Sequence, residues 1–211
     1  MKIKLCGFTE QNSVELACAL GCDFLGVVFV KNSPRYISPQ NSQKLNILLK
    51  KYPNTQKVAV VMNQSLEDLS EINQYFAPHF FQLHGNEDLN YVTKVKQKFS
   101  EIGIIKAISV NNSTDIKSAK NFFDSVDYLL FDNKNAGSGE KFNWEMLNGF
   151  KSTKPWFLSG GININNLEEI FKNPTIKFID ISSGIEEIRG VKSLKLISEV
   201  MQKIKDKNFN I

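Results

Sequence analysis

The chain has 211 residues, of which 42% are hydrophobic and 23% charged, a composition that suits one large soluble globular domain. Its net charge of +4 comes without a basic run, and no apolar stretch nears the ~20 residues of a membrane span, so nucleic-acid and membrane roles are excluded. Three cysteines form no disulfide framework, Cys18 and Cys22 lack the His or acidic partners of a zinc set, and the charged Lys2-Ile3-Lys4-Leu5 start does not read as a secretory signal; a reducing cytoplasm is expected.

Short β-rich runs alternate with helical patterns along the whole chain. The predicted strands are Ile3–Leu5, Phe24–Phe29, Lys57–Val61, Phe80–Leu83, Ile104–Ile108, Tyr128–Phe131, Trp156–Ser159 and Phe178–Ile181. Helical patterns fall near Thr9–Leu20, Pro39–Lys50, Ser65–Tyr75, Leu89–Phe99, Ser113–Phe123, Asn143–Phe150, Asn165–Phe171 and Val191–Lys205. Ser38 before Pro39, Ser65 with Asp68, and Asn163 or Asn165 before Leu167 are candidate helix caps. Eight βα units without a linker imply a single-domain (β/α)8 TIM barrel over residues 1–211. A doubly wound sheet would carry its Gly-rich turn after the first strand. Here such turns follow the seventh and eighth strands, where barrels commonly hold phosphate.

Those two turns are the first candidate site. Trp156-Phe157-Leu158-Ser159 runs into Gly160 and Gly161, and Phe178-Ile179-Asp180-Ile181 runs into Ser182, Ser183 and Gly184. Glycines let backbone N–H groups approach an anion, and the start of a short helix after Ser182-Ser183-Gly184 would favour negative charge. Either turn alone could be an ordinary tight βα connection; together they read as a phosphate grip. Asp180 shares an inward face with Ser182 and could orient polar groups around the phosphate.

Catalytic residues of a barrel belong at the C-terminal ends of its strands. Cys6 stands at such a rim, with Lys4 one layer below on the same face. The ammonium would favour the thiolate and make Cys6 a general base, though a buried cysteine can also be simple packing. Arg35, in the loop after the second strand, is one of two arginines and suits a bidentate carboxylate contact or a surface ion pair. Gln82 and His84 share a face at the fourth rim, where they could touch substrate or merely complete the rim. Asp132 follows four apolar residues on the sixth strand, a setting that can raise a carboxyl pKa toward general-acid use. Gly137 and Gly139 in the loop beyond it suit a flexible lid, or else a linker.

Together, Lys4-Leu5-Cys6-Gly7-Phe8-Thr9, Ser33-Pro34-Arg35-Tyr36-Ile37-Ser38, Gln82-Leu83-His84-Gly85, Leu130-Phe131-Asp132, Gly137-Ser138-Gly139, Ser159-Gly160-Gly161 and Asp180-Ile181-Ser182-Ser183-Gly184 resemble the phosphoribosylanthranilate isomerases. The resemblance covers essentially the whole chain. It implies an Amadori rearrangement in tryptophan biosynthesis, aldose to ketose, without metal or cofactor. Asp132 would be the acid, Cys6 the base, Arg35 the carboxylate contact and the two late turns the phosphate site, with a small phosphosugar-anthranilate as partner. The chain departs from the family's pattern in three places, one of them Glu10, where many members have a different polar residue. The lid reads Gly137-Ser138-Gly139 rather than Gly-Thr-Gly, and Ile185-Glu186-Glu187-Ile188-Arg189-Gly190 lacks the usual Ser-Pro-Gly. The related histidine-pathway isomerase would carry an acid where Cys6 stands, and a pentose-phosphate epimerase would need a metal set that His79 and His84 alone do not supply. Indole-glycerol-phosphate synthase is longer at its N-terminus, and a phosphosugar sensor would not need Cys6, Arg35 and Asp132 together. No extended apolar surface stretch stands out, so a monomer is expected, with a homodimer as the alternative.

Overall fold

The computed structural model describes residues 1–133 and 143–209. Eight parallel strands close into a barrel in sequence order: β1 (Lys2–Cys6), β2 (Phe24–Val28), β3 (Gln56–Val61), β4 (Phe80–Leu83), β5 (Gly103–Val110), β6 (Tyr128–Asn133), β7 (Trp156–Leu158) and β8 (Phe178–Ile181). Around it lie helices α1 (Gln11–Ala19), α2 (Pro39–Leu49), α3 (Leu66–Phe76), α4 (Leu89–Lys98), α5 (Ser113–Ser118), α6 (Leu167–Phe171) and α7 (Leu194–Phe209). All eight predicted strands are present, with ends that move by a residue or two.

The strand period of two sorts each residue to the helices or to the barrel interior. Ile3 and Leu5 face outward and are fully covered by the helical layer. The interior builds in layers of four, each drawn from alternate strands. The floor is Phe24, Phe80, Tyr128 and Phe178, the first residues of the even-numbered strands. Their rings pack in tilted and edge-on pairs, with centroids 5.9 Å apart for Phe24–Phe80, 5.5 Å for Phe80–Tyr128 and 5.6 Å for Tyr128–Phe178. Each such pair contributes about 0.5–1.5 kcal/mol beyond area burial. Above the floor come Lys4, Val58, Ile105 and Phe157, then Gly26, Gln82, Leu130 and Asp180. The upper layers, Cys6 with Val60, Ala107 and Ser159, then Val28 with His84, Asp132 and Ser182, open at the C-terminal face.

The caps explain where helices begin. Ser38 accepts from the Asn41 N–H ahead of Pro39, and Ser65 with Asp68 forms a reciprocal capping box. At α6, Asn166 is the N-cap rather than Asn163 or Asn165, and those asparagines instead tie the preceding turn together.

Two other expectations are corrected. The Asn143–Phe150 pattern yields only one 3-10 turn, Trp144–Leu147, because Asn148 turns extended and Gly149 takes a φ of +76°. After β8 no short helix starts at Ser182-Ser183-Gly184. The chain makes a small antiparallel hairpin instead, β9 (Glu186–Ile188) and β10 (Val191–Lys192), before α7 begins at Leu194.

Candidate active site

The open end of the barrel holds a cavity of about 310 Å³. Cys6, Asp132, Arg35, Gln82, His84, Gly160, Gly161, Asp180, Ser182 and Ser183 all line it, so ten of the sequence-derived site residues meet in one place. Gly184 does not line it. A β-carbon there would collide with the Ile162 carbonyl, so the bare Gly184 backbone lets the β7 and β8 turns pack together. Gly137 and Gly139 lie outside the described residues.

Cys6 is buried at the end of β1, and Gly26 on β2 leaves room for its sulfur. Burial drives the Cys6 thiol pKa up; the Lys4 ammonium pulls it down without prevailing. The expected thiolate support from Lys4 is therefore only partial. Lys4 is fully buried and binds Asp180 Oδ1 at 2.9 Å. Burial opposes its charge, but Asp180 and then Cys6 outweigh that and raise the Lys4 pKa. Asp180 is accordingly the counter-charge of Lys4. Its second oxygen lies 3.4 Å from the Ser159 hydroxyl, which it orients at the start of the Gly160-Gly161 turn.

Asp132 sits at the rim of β6, with Oδ1 accepting from the Asn133 N–H at 2.8 Å and Oδ2 3.3 Å from His84 Nε2. Gln82 Nε2 lies 2.8 Å from His84 Nδ1. An amide nitrogen only donates, so Nδ1 accepts and a neutral imidazole carries its proton on Nε2, toward Asp132. That contact is an ion-pair distance without hydrogen-bond alignment, and Gln82 Oε1 is buried without a partner. Behind the wall, Glu87 accepts from Lys106 Nζ and from the Gly85 N–H, both at 2.8 Å, and from the Asn63 N–H at 2.8 Å. This brace fixes the loop that follows His84. Nothing in local spacing announced it.

Gly160 and Gly161 have φ of +86° and +68°, values that L side chains rarely adopt. Their N–H groups, and that of Ser183, have no protein acceptor among the described residues. Ser182 donates its hydroxyl to the Cys6 carbonyl at 3.1 Å, tying the second turn to β1. The three free amides at the cavity edge form an anion nest.

Arg35 crosses the end of β1 above Gly7 and is buried. Its Nε and Nη2 bind Glu186 Oε1 and Oε2 at 2.6 and 2.8 Å, so the ion-pair alternative holds, in buried form. The side-on pair uses two of five N–H groups and leaves the Nη edge for a ligand. Lys192 also reaches Glu186, at 2.7 Å. Burial pushes the Glu186 pKa up, but Arg35, Lys192 and the Gly190 N–H overcome it and hold the carboxyl below its ordinary range. The partners in this cluster, 151 residues apart for Arg35 and Glu186, were not apparent from sequence.

Among the described residues no group of His, Cys, Asp and Glu is arranged to hold a metal ion, and no helix is long and apolar enough to cross a membrane.

Known proteins match this chain along its length. A curated relative from Crocosphaera subtropica, an N-(5'-phosphoribosyl)anthranilate isomerase, is 32% identical and covers 99% of this chain and 100% of its own. One from Zymomonas mobilis is 31% identical over 97% of this chain and 98% of its own. The crystal structure of the phosphoribosyl anthranilate isomerase of Thermus thermophilus superposes with a TM-score of 0.86 at 27% identity, covering 98% of this chain and 99% of that one. A phosphoribosyl anthranilate isomerase solved with reduced 1-(o-carboxyphenylamino)-1-deoxyribulose 5-phosphate gives a TM-score of 0.83 at 27% identity, with the same coverage. The dimeric enzyme of Thermotoga maritima, solved as generated monomers, gives 0.84 at 26%, again with the same coverage. The family model for N-(5'phosphoribosyl)anthranilate (PRA) isomerase matches residues 3–203, and the chain belongs to that family.

Proposed function

We propose that this cavity converts N-(5'-phosphoribosyl)anthranilate to 1-(o-carboxyphenylamino)-1-deoxyribulose 5-phosphate, with Asp132 as general acid and Cys6 as general base. The observation that carries the assignment is that Cys6 and Asp132 occupy successive interior layers at the same mouth that bears the free amides of Gly160, Gly161 and Ser183. The amides hold the 5'-phosphate, and the Nη edge of Arg35 takes the aromatic carboxylate. Asp132 gives its proton to the ribose ring oxygen, and the C1'–O bond breaks to leave a protonated Schiff base. The Cys6 thiolate removes the C2' proton, and that electron pair neutralises the iminium nitrogen as an enolamine. Protonation at C1' and loss of the C2' hydroxyl proton complete the ketone. Holding the substrate at both ends leaves the reacting carbons between acid and base, and such positioning can supply about 7–11 kcal/mol of a barrier.

The partner is a small phosphosugar, and the protein acts as a monomer in the cytoplasm. The reaction assignment is tested with freshly generated substrate, followed by loss of anthranilate-type fluorescence. Wild type should consume it, while Cys6→Ala and Asp132→Asn should spare it; a silent wild type would overturn the assignment.

A further inference from the structure

The cavity meets a ligand with two anionic ends, yet the positive charge of Arg35, and of Lys4 and Lys192 behind the lining, is already spent on protein carboxylates. Lys4 is bound to Asp180, and Arg35 and Lys192 both bind Glu186. Arg35 keeps only its Nη edge for a carboxylate.

Arg189 also lines this cavity. It is exposed and has no hydrogen-bond or ion-pair partner among the described residues. It stands in the two-residue turn between β9 and β10, in the stretch where the chain departs from the family's usual Ser-Pro-Gly. That turn is fixed in place. The Gly190 N–H donates to Glu186 Oε2 at 3.1 Å, and a β-carbon on Gly190 would come within 2.6 Å of the Pro34 carbonyl oxygen. The hairpin therefore presses on the loop that carries Arg35, while the phosphate amides lie on the β7 and β8 turns. Arg189 and Arg35 are the only arginines among 26 basic residues, and both line the same cavity.

We propose that Arg189 is a substrate-binding residue that gives the aromatic carboxylate a second guanidinium contact beside Arg35. The inference rests on the isomerase reading above. An Arg–carboxylate contact of this kind is directional and charge-assisted, and lysine reproduces it only in part.

The test measures steady-state kinetics for wild type, Arg189→Ala and Arg189→Lys. It also measures their binding of two stable probes, 1-(o-carboxyphenylamino)-1-deoxyribitol 5-phosphate and the same compound without its carboxyl group. Arg189→Ala should raise KM about tenfold with a much smaller change in kcat, and weaken the carboxylated probe about tenfold. The probe lacking the carboxyl group should bind both proteins alike, and Arg189→Lys should fall between. Equal weakening of both probes would move the contact to the phosphate and overturn the proposal, as would unchanged binding of the carboxylated probe. Failure of wild type to turn over substrate would overturn the isomerase reading instead.

Discussion

The sulfur of Cys6 and the missing side chain of Gly26 share one space: a β-carbon on Gly26 would stand 2.5 Å from Cys6 Sγ. The neighbouring strand thus sets where the proposed base lies. Gly26→Ala should push the thiol off its line while the barrel still closes. Overpacking of this kind costs about 1–3 kcal/mol of stability, and a displacement of the order of 1 Å lowers kcat/KM by about 100-fold. Denaturant unfolding and turnover on the same preparation check both parts. Unaltered kcat/KM would show that the base is not held by this contact.

The buried thiol also fixes a direction for pH dependence. As the proposed base Cys6 would act as thiolate, and burial raises its pKa above the ordinary cysteine value. In the free protein the thiolate absorbance that is lost in Cys6→Ala should therefore titrate along a limb centred above about 8.5, the value of an unperturbed thiol. Lys4→Met removes the opposing ammonium and should move that limb to higher pH. A limb that does not move would separate Lys4 from the base.

Lys4 and Asp180 offer a stability measurement independent of catalysis. The pair is buried and joins β1 to β8, closing the barrel. Removing one partner of such a pair strands the other charge and costs about 3–5 kcal/mol. Lys4→Met alone should show a loss of that order in urea, and Lys4→Met with Asp180→Leu should regain part of it. Additive losses would mean that the two charges do not depend on each other.

Glu186 gives a third readout. Its folded pKa lies below its unfolded value, so its stabilising effect is complete above about 4.3, the unperturbed glutamate pKa, and is lost as pH falls through the lower folded value. The difference in melting temperature between wild type and Glu186→Gln should be constant from pH 7 to about 5 and shrink at more acid pH. A difference that persists unchanged in acid would place the effect in packing rather than charge.

The barrel was legible because its signal is local and repeated. Period-two strands occur eight times over with helical patterns between them, and each needs only a few adjacent residues. Cys6, Asp132, Gly160 and Gly161 were legible for the same reason, since strand ends can be read directly and each residue brings its own chemistry. The pairings were not. Glu186 reaches Arg35 across 151 residues, and Asp180 reaches Lys4 across 176, so their partners emerge only on closure. The β9–β10 hairpin had one local sign, Arg189-Gly190 between Ile188 and Val191. Gly190, with a φ of +91°, marks a two-residue loop. The Trp144–Leu147 turn was overread because apolar spacing continues past Gly149, where the backbone can no longer follow a helix.

The aromatic floor has a consequence for the fate of a hydrogen. With four rings closing the far end, the interior formed by the described residues opens at the C-terminal face, where a bound substrate would act as the stopper. Under the proposed mechanism, the hydrogen that Cys6 lifts from C2' has no exit through that floor. Deuterium placed at C2' would be carried in part to C1' of the same molecule, and the share retained in product would gauge how tightly the stopper fits.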